Sequence, residues 1–364
     1  VMTIKASADA VEVRAALGLG EEHREWTEAL EWTPADDHEA ELPAGQQLTS
    51  LLTRLKLPVE DQAEMAEAAE EAIEPDTPWR WLLDRTVASL RATMGLDTLM
   101  PPRPALTTDS PTGRWLTVLA CLAVVPDVRA LHARMEVPDE VSWASLGILG
   151  EKAAVRRRTL AGARAGAGTE VEAEAKAPFS YDNYLLPVFQ GRRYRLDGLD
   201  CRASNVSIDV RLPYGTEPFG ILPDMAWAHE IHYFFRRLPR RYADGVRFGY
   251  DAIPCRIGSW INDPAVGDYL PEDHEIRRFI RKCQHFSHYG PGPADETGLT
   301  SGDRDALEQT FGQSPANRET ALHLTPTTPV QQAVLEHLGA GNHWALDHCG
   351  QAIWDYSPYP RRAT

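Results

Sequence analysis

The side chains best suited to chemistry gather in one part of the 364-residue chain, between Asn205 and Cys283. Arg236, Arg237, Arg240 and Arg241 follow a Pro/Gly turn at 213–220, and Ser259, Asp263, His274 and Glu275 come soon after. A strand, a loop and a helix N-terminus aimed at that loop make an anion site, because the free amide groups and the helix dipole both favour negative charge. Other groupings fail on spacing. His229-Glu230-Ile231-His232 is one residue short of the zinc-protease pattern, so His232 reads as a helix-surface residue. His343, Asp347, His348 and Cys349 match no metal-ligand spacing, and no G-x-S-x-G elbow is present. Gly18-x-Gly20 has no strand before it, which removes a dinucleotide fingerprint.

These residues need elements to hold them. Asn205 to Leu212 alternates apolar and polar side chains, the mark of a half-buried strand. Pro223 and Asp224 open a helix whose Trp227, Ile231, Phe234, Phe235 and Leu238 form one stripe. A strand from Val246 to Ile257 and a helix through Ile276, Phe279 and Ile280 follow, then a Gly/Pro/Asp loop at 290–302. Thr328-Pro329 introduces a helix over Val330–Leu338, and strands at Gly341–Leu346 and Gln351–Tyr356 close the chain. Upstream, Tyr184–Phe189 and Tyr194–Asp197 read as short strands parted by Gly191 and Gly198.

Ahead of residue 160 the periodicity is helical throughout. A first helix is expected at Ala8–Leu17, and Leu48, Leu51, Leu52 and Leu55 line another. Trp79, Leu82, Leu83, Val87 and Leu90 repeat the pattern behind Asp76-Thr77-Pro78. Residues 101–112 read as a loop, Trp115–Val125 as a buried helix ended or kinked by Pro126, and Ser142–Arg158 as a single helix. The expected organisation is α/β (α+β): an all-helical N-terminal domain at 1–160, a flexible linker or loop at 161–178, and a mixed-sheet domain at 179–364.

The net charge of −16 argues against nucleic acid as a partner, since phosphate contacts need a clustered cationic surface. Arginine clusters at 156–158, 236–241 and 277–281 interrupt that acidity. They suit a phosphorylated small ligand or an acidic carrier protein, or else they are solvated helix faces. Five scattered cysteines without a C-x-x-C pair fit a reducing compartment and argue against a zinc site. With no basic leader ahead of an apolar run, and with Leu116–Val125 too short to span a bilayer, the expectation is a cytoplasmic protein without a membrane partner.

Several blocks, in order, resemble a known arrangement. Tyr233-Phe234-x-x-x-Leu238-Pro239, Ser259-Trp260-Ile261-Asn262-Asp263-Pro264 and Leu270-Pro271-x-Asp273-x-x-Ile276-x-x-Phe279 are similar to motifs of GNAT-like C-terminal domains. Trp79-x-Trp81-Leu82-Leu83, Val125-Pro126-x-Val128-Arg129 and Pro138 through Leu146 resemble the helical N-acyltransferase domain that precedes them in that family. The likeness covers roughly residues 75–350. It implies a GNAT-like fold that moves an acyl group from a phosphopantetheine thioester, on coenzyme A or an acyl carrier protein, to the amine of a small molecule, with secondary metabolism the expected setting. The acyl donor is then a co-substrate, and no tightly bound cofactor and no metal are expected.

The resemblance also implies where the parts lie. The pantetheine slot is a splay between parallel strands at Ile208–Leu212 and Ala252–Ser259, whose free backbone groups bond the pantetheine amides. Positioning and backbone electrostatics supply much of such catalysis, so no nucleophile is required. Ser259, His274 and Glu275 are the catalytic candidates. Ser259 either protonates the leaving thiolate, lines the acceptor pocket or caps a helix; His274 and Glu275 accept the amine's proton or lie on the surface. Arg211, Leu212, Gly215, Gly220, Arg236 and Arg237 are assigned to the donor, and Asp251, Trp260 and Asp263 to the acceptor. Asp263 also suits a turn, and Trp260 a core. The usual R-x-x-G-x-G/A pyrophosphate loop is absent from 212–220, which favours a carrier-bound donor over free coenzyme A. The competing readings are a GNAT-like protein that binds acyl or pantetheine groups without transferring them, and a structural partner in a biosynthetic assembly.

Overall fold

The computed structural model describes residues 9–33, 39–96, 106, 110–166, 185–196, 198–203, 208–212, 231, 234–235, 252–282, 284–287 and 290–354. The chain forms two compact units, Val1–Tyr194 and Arg195–Thr364.

The first unit is helical: α1 (Ala10–Leu17), α2 (Arg24–Trp32), α3 (Gly45–Arg54), α4 (Gln62–Ala72), α5 (Pro78–Ala92), α6 (Pro111–Arg134), α7 (Asp139–Leu146), α8 (Ile148–Gly166) and α9 (Leu186–Phe189). Local signals set several of its ends. Thr77 caps α5 by accepting a bond from Arg80 N, with Pro78 in the first turn where its missing N–H is harmless. Gly18 ends α1 in the left-handed region, φ 64°. α8 runs to Gly166, six residues into the stretch expected as a linker.

Other expectations need correction. Ser110 caps α6 at Thr112 N, so the helix begins at Pro111, inside the expected loop. It then continues through Pro126 to Arg134. A proline inside a helix costs about 3 kcal/mol, whereas each fully buried Leu or Val returns about 1.5–3 kcal/mol. Leu116, Val118, Leu119, Leu122 and Val124 before Pro126, and Val128 after it, are all buried, so packing outweighs the break. By length and composition α6 could cross a membrane; its side chains from Thr112 to Val125 are instead largely buried in the helical unit. Ser142–Arg158 is not one helix, because Gly147 separates α7 from α8. The first turn of α8 lies so close to the end of α3 that a Cβ on Gly150 would stand 2.2 Å from Leu55 O. Leu186–Phe189 is a buried helical turn rather than a strand, since a short apolar run carries no period to separate the two.

His132 on α6 is buried, its Nδ1 2.7 Å from Ser142 Oγ and its ring 5.2 Å from that of Tyr194. Burial, with Arg129 adding to it, pulls its pKa down to about 4, so the ring is neutral in the folded unit.

The second unit is built on a mixed sheet. β1 (Arg193–Leu196), β2 (Leu199–Ala203), β3 (Ile208–Arg211), β4 (Ala252–Ser259), β5 (Gln284–Ser287) and β6 (Asp347–Trp354) lie in the order β1-β2-β3-β4-β6-β5. Gly198, at φ 82°, makes the turn between the first two strands. As the alternation requires, Ile208 and Val210 are buried while Asp209 and Arg211 face outward. β3 pairs antiparallel with β2 and parallel with β4, and an Asp209–Arg256 ion pair joins residues directly opposite in the parallel register. β4 pairs antiparallel with β6 along all eight residues. The two closing strands expected from 341 to 356 are therefore one, β6, and 342–346 holds no regular element.

A 3-10 turn (Trp260–Asn262) leaves β4, followed by α10 (Val266–Tyr269) and α11 (Glu275–Lys282). After the loop at 290–300 come α12 (Ser301–Phe311) and α13 (Arg318–Leu322), neither anticipated, and α14 (Pro329–Gly339), capped by Thr328 as expected. Trp260 and Trp344 meet edge to face, 5.1 Å between ring centres, and His337 stacks on Trp344 at 3.9 Å. Of the helical stripe expected after Pro223, Ile231 and Phe235 are buried; its other positions, apart from half-buried Phe234, lie outside the described residues.

Candidate active site

The expected slot lies between β3 and β4, which pair in parallel over a short register among the described residues. Among these the parallel register joins Ile208 to Cys255, Asp209 to Arg256 and Val210 to Ile257. β3 continues to Arg211 and β4 to Ser259, while on its other side β4 stays paired with β6 as far as Ser259↔Asp347.

Ser259 is buried at the tip of β4, its Oγ 3.2 Å from both Asp305 Oδ2 and Gln309 Oε1. Asp305 and Gln309 are one turn apart on α12, and Gln309 Nε2 donates to Asp305 Oδ1 at 2.9 Å. Trp260 joins the group twice, its backbone N–H donating to Asp305 Oδ2 at 3.4 Å and its indole N–H to Gln309 Oε1 at 3.1 Å. The Asp305 carboxyl is pushed up to about 6, chiefly by loss of solvent around it. The Arg211 charge and the Trp260 amide pull the other way, and Glu308 adds to the rise. A carboxyl held near 6 is ionised at neutral pH yet close enough to it to accept and return a proton.

Arg211 is exposed and Leu212 buried at the end of β3. Trp260 is fully buried against Trp344, and Asp263 serves a turn: Oδ1 accepts from Ala265 N and Oδ2 from Ala345 N, each at 2.8 Å. Asn262 Nδ2 donates to Ile257 O at 2.8 Å and Asp347 O at 3.1 Å. His274 and Glu275 stand at the start of α11, where His274 Nδ1 accepts from Ile276 N at 3.3 Å; neither is hydrogen-bonded to Ser259. Gly215, Gly220, Arg236, Arg237 and Asp251 lie outside the described residues. No cluster of three metal-ligating side chains occurs among the described residues.

Asp305 and Gln309 escaped the sequence reading because their helix did. The signal was present at Thr300-Ser301-Gly302-Asp303: Thr300 Oγ1 accepts from Asp303 N while Asp303 Oδ2 accepts from Thr300 N. Asp303 Oδ1 also accepts from Trp344 N at 2.8 Å, which anchors α12 beside the chain leading into β6.

Residues 46–162 match the family model for the N-acyltransferase N-terminal domain, and residues 225–350 match that for the GNAT-like C-terminal domain. The chain thus joins an N-acyltransferase N-terminal domain to a GNAT-like C-terminal domain. Solved structures agree over nearly its full length. An acyltransferase in complex with decanoyl-CoA and teicoplanin is 28% identical, with a TM-score of 0.74, covering 95% of this chain and 100% of that one. An acyltransferase in complex with CoA and 10C-teicoplanin is 27% identical, and a mutant acyltransferase in complex with octanoyl-CoA is 26% identical. Both have the same TM-score, 0.74, and the same coverage, 95% and 100%. No curated protein matches the chain. The helical first unit and the mixed sheet are thus the expected pair of folds.

Proposed function

We propose that the protein is an N-acyltransferase that carries an acyl group from a coenzyme A thioester to the amine of a small molecule in secondary metabolism. The observation that carries this reading is the buried group of Ser259, Asp305 and Gln309 at the end of β4, the strand that pairs in parallel with β3. Pantetheine would lie along the ends of β3 and β4, placing the thioester carbon beside Ser259. Tetrahedral attack then depends on orientation and on backbone N–H groups facing the developing oxyanion, as holds for acyl transfer in general.

Related structures hold decanoyl-CoA, octanoyl-CoA or CoA, which supports coenzyme A as the donor rather than the carrier protein favoured by the sequence. Teicoplanin in two of them supports a bulky small-molecule acceptor. Arg211 and Leu212, at the end of β3, fit the donor side, whereas Trp260 is taken up by the core. Proton acceptance by His274 has less support, because its Nδ1 already receives the Ile276 amide.

The test is incubation with acyl-CoA esters of graded chain length and a panel of amines that includes teicoplanin-derived ones. Release of free thiol should accompany a mass gain on the amine equal to the acyl group. Thiol release no faster than in amine-free controls, for every donor including acyl carrier proteins, refutes the reading.

A further inference from the structure

Ser259 has one hydroxyl proton and two acceptors at the same distance, Asp305 Oδ2 and Gln309 Oε1, both 3.2 Å away. With Asp305 ionised, that proton points to Oδ2. With Oδ2 protonated, the carboxyl donates to Ser259 Oγ, and the serine turns its own proton to Gln309 Oε1. Both states keep a closed set of hydrogen bonds, since Gln309 Nε2 holds the other oxygen, Oδ1, throughout. Oδ1 accepts that bond alone, so it keeps a lone pair. The carboxyl is also acted on by the ends of both strands: by Ser259 and Trp260 at the tip of β4, and by the charge of Arg211 at the tip of β3.

We propose that Asp305, with Ser259 as its hydrogen-bond relay, takes the proton of the attacking amine and returns it to the departing thiolate. This rests on the acyl-transfer reading above. The amine lone pair forms the C–N bond, the proton shed by that nitrogen passes to the Asp305 carboxylate, and the C–S bond breaks with its electron pair on sulfur. The proton then goes to that sulfur, leaving amide, free thiol and an unchanged carboxylate. The charged groups acting on Asp305 are Arg211 from β3 and Glu308 from its own helix; β4 and the 3-10 turn present the neutral Ser259 and Trp260. α14, also packed on α12, directs Gln331 to Thr310 O and His337 to Tyr269.

The experiment measures kcat at saturating acyl-CoA from pH 5 to 9 for the wild type, Asp305→Asn, Asp305→Glu and Arg211→Gln. Asp305→Asn should lower kcat about 10²- to 10⁴-fold with little change in KM for the donor, whereas Asp305→Glu restores part of the rate. The wild-type rate should fall on the acid side with a limb near the carboxyl's own pKa, about 6. Arg211→Gln should move that limb to higher pH by removing the charge that favours the carboxylate; ionisation of the amine itself would not respond to this change. An active wild type with Asp305→Asn within about threefold of its kcat, or a limb unmoved by Arg211→Gln, overturns the assignment. A wild type that transfers to no amine overturns the underlying reading as well.

Discussion

Asp305→Asn should make the protein more stable at neutral pH while slowing it. The carboxyl rises from 3.8 to about 6 on folding, so keeping it ionised opposes folding at neutral pH. Each pKa unit corresponds to about 1.4 kcal/mol, which makes the opposing contribution about 3 kcal/mol. The sign follows from the direction of the shift. A carboxyl with a raised folded pKa favours the folded state fully below pH 3.8 and loses that benefit as pH rises to about 6. Asparagine does not titrate. It can still accept the Ser259 hydroxyl and the Trp260 amide, but its amide group faces Gln309 Nε2, and losing that one bond costs about 1 kcal/mol at every pH. The variant should therefore be about 2 kcal/mol more stable than wild type at pH 7.5 and about 0.5 kcal/mol less stable at pH 4, crossing in between. For a unit of this size the gain at pH 7.5 raises Tm by about 5 °C. Urea melts of both proteins at half-unit pH steps isolate this effect, because every other titrating group cancels in the difference. A wild type that is more stable than the variant by the same amount at pH 4 and pH 7.5 would refute the reasoning.

Two further outcomes follow from contacts. Gly302→Ala places a Cβ 2.0 Å from Trp344 O, so either the first turn of α12 or the segment leading into β6 must move. It should cost about 1–3 kcal/mol in urea melts and slow acyl transfer by separating Asp305 from Ser259; unchanged stability and rate would show that α12 is not pinned there. His132 is depressed from 6.5 to about 4, so the helical unit should lose stability as pH falls through that range, the benefit being complete above 6.5. His132→Phe should flatten that part of the pH–stability curve, measured by circular dichroism, while lowering stability above it by stranding Ser142 Oγ.

Much of the frame could be read from local pattern. The alternation at Ile208 and Val210, the Thr-Pro starts at Thr77 and Thr328, and the leucine stripe of α3 each reflect physics that acts over a few residues. Errors arose where distant packing decided. Pro126 survives inside α6 because the surrounding unit buries the helix on both sides of it. Leu186–Phe189 is too short for its apolar run to choose between helix and strand. Within the site, Arg211, Ser259 and Trp260 were visible as parts of a resemblance. Asp305 was not, because nothing near it in the chain marks it as different from other helix-surface acids. Its environment comes from β3, β4 and the 3-10 turn, 43 or more residues upstream, which only the folded sheet brings beside it.

Among the described residues, β4 is paired with β6 along all eight of its positions and with β3 at three. Asn262 adds a further stitch on the β6 side, tying the turn after β4 to the first residue of β6. A wedge driven into the sheet would consequently tilt β3 and leave β4 as the anvil. Donors of different bulk would then meet Ser259 and its carboxylate partner in the same place, with the accommodation falling on the opposite wall.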